Sequence, residues 1–104
     1  MKDLKHSKNI MQKTLMNLFH DIEYRAMDTD YKYNKEVCTN TIYTRFTLRY
    51  PFMKCELTYE YISEMNYVFE EYLNDKFTVN QYYRNMNKII NLLVYNFRKE
   101  LYLD

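Results

Sequence analysis

From Thr78 to Leu103, apolar side chains return at steps of three and four: Val79, Tyr82, Tyr83, Met86, Ile89, Ile90, Leu93, Val94, Phe97 and Leu101. At about 100° per residue these positions fall on one broad arc of an α-helix, and so apolar an arc must be buried against something. Thr78 followed by Gln81 fits a capping box, in which the hydroxyl and the side-chain amide satisfy N–H groups left unpaired by the first turn. No Gly or Pro interrupts the stretch. The spacing predicts one helix over about 24 residues, roughly 36 Å long.

The remaining residues must supply the covering surface. Residues 3–27 form a second helical stretch, with Leu4, Met11, Leu15, Leu18, Phe19, Ile22 and Ala26 on one stripe. Lys2, Lys5, His6, Lys8 and Lys13 crowd its first turns, where positive charge opposes the helix macrodipole. Met27-Asp28-Thr29-Asp30 favours a turn over a helix and marks its end.

From Thr39 to Tyr61 the pattern reads as β. Ile42, Phe46, Leu48 and Tyr50 alternate with Tyr43, Arg45, Thr47 and Arg49; beyond Pro51, Met53, Cys55, Leu57, Tyr59 and Tyr61 alternate with Lys54, Glu56, Thr58 and Glu60. Two half-buried antiparallel strands are expected to meet at a turn near Tyr50 to Phe52, where Pro51 fits because it fixes φ and donates no hydrogen bond. Arg45 and Arg49 would then face Glu56 and Glu60 across the hairpin. Tyr31 to Val37 alternates loosely enough for a third, edge strand. Ile62, Met65, Phe69, Tyr72 and Leu73 mark a helix from about Ser63 to Leu73, closed at Asn74-Asp75-Lys76 and antiparallel to the last one. The expected fold class is therefore α+β: an amino-terminal helix, an antiparallel β-hairpin and two antiparallel helices.

Length fits a single domain, residues 1–104, with one core. The composition is 47% hydrophobic and 28% charged, which is globular rather than disordered. Its bias is unusual: 13 Tyr and 7 Met, but no Gly, no Trp, a single Pro and a single Ala. An AT-rich genome encodes such a bias, and AT-rich Gram-positive bacteria, their phages and plasmids, and some large DNA viruses are the kinds of source it suggests. The formal charge of +1 gives no global field, so any electrostatic patch is local. Two cysteines, Cys38 and Cys55, and no apolar leader point to a cytoplasmic protein with reduced thiols, in the host cytoplasm if phage-encoded. No run of about 18 apolar residues is present, so no membrane span is expected.

The absence of Gly removes Walker-type loops, Rossmann turns and nucleophile elbows, each of which needs Gly where backbone approaches a ligand or turns to positive φ. His6, His20, Cys38 and Cys55 lack the close spacing that prearranges a zinc site, so no metal and no cofactor are expected. His20 and Asp21 diverge by about 100° on a helix and are no dyad, and Ser7 and Ser63 are the only serines. No enzyme activity is expected.

Two surface features remain. The back of the last helix carries Arg84, Lys88, Asn91, Tyr95, Arg98, Lys99 and Tyr102, with no acidic residue from Val79 to Lys99. Basic side chains interleaved with Tyr suit a phosphate backbone and its bases. The second is the tyrosine excess, with Tyr31, Tyr33, Tyr43, Tyr67, Tyr95 and Tyr102 outside the expected core faces, since Tyr buries contact area at little entropic cost. The leading expectation is a small noncatalytic interaction protein, such as a phage or mobile-element inhibitor or modulator of a host macromolecule. The alternative is a nucleic-acid-binding module that uses the last helix together with Lys5 and Lys8. A homodimer built on the last helix is a third option.

Overall fold

A computed structural model describes residues 4–28 and 34–102, and the described residues contain helices and no strand. The expected α+β class is thus corrected to all-α. The helices are α1 (Leu4–Asp28), α2 (Lys35–Arg49), a 3₁₀ turn (Pro51–Met53), α3 (Glu56–Leu73), α4 (Val79–Asn96) and the short α5 (Arg98–Tyr102).

The hairpin is where the reading fails, and burial gives the reason. Ile42 and Phe46 sit four apart, which serves a strand and a helix equally, but their buried neighbours in α2 are Cys38, Thr39 and Thr47, which only a helix brings to the same side. Leu48, inward in the strand reading, is 78% exposed. In α3 the buried side chains are Thr58, Ile62, Met65, Asn66, Val68 and Phe69, again a helical stripe, so α3 begins at Glu56 rather than Ser63. Polar residues hold some of these inward positions. Thr39 and Thr47 are accommodated because their hydroxyls donate to the carbonyls of Lys35 and Tyr43, at 2.9 and 2.8 Å. Asn66 donates from Nδ2 to the Lys35 carbonyl at 2.8 Å and to the Thr39 hydroxyl at 2.7 Å, tying α3 to the start of α2.

The expected cross-hairpin ion pairs are absent with the hairpin; Arg45 instead reaches Asp21 of α1 at 3.1 Å. Lys35 to Val37, assigned to the edge strand, form the first turn of α2, capped by the Asn34 carbonyl oxygen Oδ1, which accepts from Val37 N–H at 3.1 Å. Tyr31 to Tyr33, and Thr29 and Asp30 of the expected turn, lie outside the described residues. Pro51 does occupy a connection, at the start of the 3₁₀ turn that links α2 to α3.

Each long helix packs on two others in the cycle α1, α2, α3, α4 and back to α1. α3 runs antiparallel to both α2 and α4: Tyr43 meets Tyr59 and Thr39 meets Asn66 across α2 and α3, while Tyr72 meets Tyr82 and Tyr61 meets Asn96 across α3 and α4. The result is an up-and-down four-helix bundle measuring 44 × 26 × 20 Å. Met11, Leu15 and Phe19 of α1, Ile42 and Phe46 of α2, Ile62, Met65 and Phe69 of α3, and Met86, Ile90 and Leu93 of α4 fill its centre. Val79 and Tyr83, expected on the buried arc of α4, are exposed at its first turns.

The capping box forms as expected: Thr78 Oγ1 accepts from Gln81 N–H at 3.2 Å, and Gln81 Oε1 accepts from Thr78 N–H at 2.8 Å. The single terminal helix does not. At Phe97 the backbone N–H turns to the carbonyls of Val94 and Tyr95, and the chain restarts as α5, which packs back on α1 and α4.

A chain without Gly has to close its helices another way. After α3, Asp75 takes φ 60°, the Asp75 N–H bonds the Tyr72 carbonyl at 3.1 Å, and the Lys76 N–H bonds the Glu71 carbonyl at 2.9 Å. This is the Schellman arrangement, with Asp75 in the left-handed position. Left-handed backbone costs a non-Gly residue about 1–2 kcal/mol, and Gly would surrender about 0.5–1 kcal/mol of that in chain entropy. Asp75→Gly is therefore expected to raise stability by about 0.5 kcal/mol, read as a higher urea midpoint. A lower midpoint would show that the Asp75 carboxylate contributes more than its backbone costs.

Candidate functional site

The antiparallel packing of α1 on α4 has one consequence that the sequence does not contain. It sets the first turns of α1 beside the last turns of α4, so Lys5 and Lys8 line an open groove of about 420 Å³ with Asn91, Val94 and Tyr95. Val94 is buried and forms an apolar floor, whereas Lys5, Asn91 and Tyr95 are exposed and Lys8 half-buried. Tyr95 is 60% exposed, so a ring face is available beside two ammonium groups.

Arg98 extends the same surface. Its guanidinium carbon stands 4.1 Å from the Tyr95 ring centroid, and Nη1 donates to the Tyr95 carbonyl at 2.6 Å. The break at Phe97 makes this possible, because Arg98 can fold back over the end of α4 and donate to a carbonyl of its last turn. Arg84 and Lys88 are exposed on the same side of α4, at steps of four and three from each other and from Asn91, and do not line the groove. Lys99 is exposed on α5, and the Tyr102 side chain lies outside the described residues. Of the nine residues singled out, the fold thus joins Lys5, Lys8, Asn91, Tyr95 and Arg98, and leaves Arg84, Lys88 and Lys99 as surrounding charge.

The field there is consistently positive. Residues 4–20 contain no acid, nor do residues 79–99; the acids that bound these runs in sequence are Asp3, Asp21, Asp75 and Glu100. The acids are concentrated elsewhere, since residues 55–75 include Glu56, Glu60, Glu64, Glu70, Glu71 and Asp75 and no Lys or Arg. A net charge of +1 conceals this separation.

The tyrosines do not form one exposed cluster. Tyr43 packs edge-on against Tyr59 at 5.3 Å, and Tyr67, exposed on α3, lies under the Lys35 ammonium at 5.2 Å, remote in sequence from Tyr95. Tyr31 and Tyr33 lie outside the described residues.

Other chemistry finds little support. Among the described residues no three His, Cys, Asp or Glu side chains come together. Cys38 is buried in α2 and Cys55 exposed at the start of α3, so the two thiols are not bridged. His20 stacks on Tyr82 at 6.5 Å between ring centroids, and Asp21 is engaged with Arg45. Among the described residues no helix is long and apolar enough to cross a membrane. Comparison with protein-family models, with curated proteins and with solved structures gives no match.

Proposed function

We propose that the chain is a noncatalytic binding module that holds single-stranded nucleic acid along the α1–α4 groove. The observation that carries this reading is the meeting of Lys5 and Lys8 with Tyr95, which itself lies under Arg98. Ammonium and guanidinium groups follow a phosphate backbone, and an exposed ring face accepts a base by stacking without choosing its identity. A groove floored by Val94 and rimmed by cations provides both at once. A cytoplasmic setting belongs to the same reading, with support from two unbridged thiols, one of them exposed.

The test is fluorescence anisotropy with a labelled oligothymidylate. If Lys5, Lys8 and Arg98 each neutralise one phosphate, a slope of about −0.7 per contact gives a loss of about twenty-fold in affinity between 50 and 200 mM salt. Lys5→Glu combined with Lys8→Glu is expected to abolish binding, and Tyr95→Ala to lower it by about ten-fold at fixed salt. Absence of binding at 50 mM salt would sink the proposal. So would binding that ignores the α1 substitutions, while salt-insensitive capture of one protein by this face would favour a protein partner instead.

A further inference from the structure

The outer seam between α3 and α4 is apolar, uncovered and flanked by opposite charges. Leu57 is 39% exposed and Leu92 52%. Tyr61 lies one helical turn after Leu57, and its hydroxyl accepts from the Asn96 side chain at 3.0 Å, one turn after Leu92, so these apolar groups share one strip. Beyond Leu57 the flank belongs to Glu60 and Glu64, both exposed on α3, a helix with no basic residue. Beyond Leu92 it belongs to Lys88 and Arg84, both exposed on α4, a helix with no acidic residue. The Tyr72–Tyr82 stack and the Tyr61–Asn96 bond set the antiparallel register, which brings Glu64 level with the turn that carries Lys88.

We propose that this seam is the interface of a homodimer whose twofold axis runs parallel to α3 and α4. That rotation lays α3 of one copy over α4 of the other, which puts Glu64 opposite Lys88 twice and closes the two Leu57–Leu92 strips on each other. A twofold in the same plane but across the helices would lay α3 on α3, acid against acid, and α4 on α4, base against base. Charge therefore selects both the occupant and the axis, because a surface acidic on one flank and basic on the other is complementary to itself. The contact does not depend on nucleic-acid binding, since the groove with Lys5 and Lys8 lies on the α1 side of α4, outside the seam.

Light scattering on the full chain without nucleic acid tests it. The expected mass is twice 13.1 kDa at about 0.5 mM protein, where a dimer with Kd near 10 µM is nearly complete. Leu92→Glu and, separately, Lys88→Glu are expected to return the mass to 13.1 kDa with an unchanged helical circular dichroism spectrum, and adding Glu64→Lys to Lys88→Glu to restore the dimer. A monomer at every concentration overturns the proposal, as does a dimer indifferent to Leu92→Glu. Charge exchange that fails to rescue overturns the axis, and mass that keeps growing with concentration would mean an open head-to-tail contact in place of the twofold.

Discussion

Phe69→Ala is expected to lower the unfolding free energy by about 3–5 kcal/mol, the cost of a lost ring plus the cavity it leaves. Phe69 is fully buried on α3, with the Phe19 ring of α1 at 5.2 Å and the Tyr82 ring of α4 at 6.1 Å. It therefore joins α3 to two other long helices, α1 and α4. Domains of this size are held by about 5–15 kcal/mol, so the substitution removes a large share of the total. Ile90→Ala, fully buried on α4, should cost about 2–5 kcal/mol by the same route. Phe97, assigned to the same buried face from sequence, is only half-buried at the break before α5, and Phe97→Ala should cost clearly less. Urea unfolding followed by circular dichroism orders the three. An unchanged midpoint for Phe69→Ala would mean that the helices are not packed around it.

The two ends of the fold were legible to different degrees. In α4 the apolar residues recur densely enough that no other period fits, and the capping pair Thr78 and Gln81 marks the start. In α2 and the first half of α3 the signal is thin. Ile42 and Phe46 fit both periods, and deciding between them required knowing that Thr39, Thr47, Thr58 and Asn66 face inward. A polar residue in the core is invisible to an apolar-pattern reading, and its stabilising partners are the Lys35 and Tyr43 carbonyls, which appear only once the helix exists. The abundance of Tyr, Thr, Ile and Phe adds to the error. These residues favour strands on propensity, but sheet propensity measures fit to a pleated surface and yields to context.

The candidate site was legible in parts and not in its assembly. The basic stripe Arg84, Lys88, Asn91 and Tyr95 follows from spacing alone. Its meeting with Lys5 and Lys8 depends on α1 closing the bundle against α4 from the far end of the sequence. Arg98 reached the site for a different reason from the one its spacing suggested, since it folds over Tyr95 only because the helix breaks at Phe97. The acid-only run from Glu56 to Asp75 could have been read from sequence, and the net charge of +1 obscured it. With α3 acidic and the neighbouring edge of α4 basic, the same helix order that builds the core also orders the surface, and the two proposed contacts use adjacent faces of α4.

Tyr82→Phe should make the protein insensitive to a pH range that destabilises the parent. Tyr82 is buried, stacks on Tyr72 at 4.4 Å with an interplanar angle of 12°, and its hydroxyl has no hydrogen-bond partner among the described residues. Burial pushes its pKa up from the usual 10.0, and the Glu23 carboxylate and the neighbouring Tyr83 and Tyr72 push it the same way. The folded state thus holds this proton more tightly than the unfolded chain does. Its contribution to stability is complete below the unfolded value of about 10 and is lost as pH rises above it, because only the unfolded chain gains by ionising. Between that value and the raised folded one, the slope for a single such group is about 1.4 kcal/mol per pH unit. Tyr72 shifts upward as well, for the same leading reason, but it is only half-buried and remains in both proteins, so the difference between parent and variant isolates Tyr82. At neutral pH the substitution removes a hydroxyl that was taken out of water without compensation, and stability should hold or rise by up to about 1 kcal/mol. Urea unfolding at pH 7, 10, 11 and 12, roughly the range set by the tyrosine reference value, reads both effects. Parallel losses in parent and variant above pH 10 would mean that the Tyr82 hydroxyl is solvated, and a loss at pH 7 would mean that it has a partner.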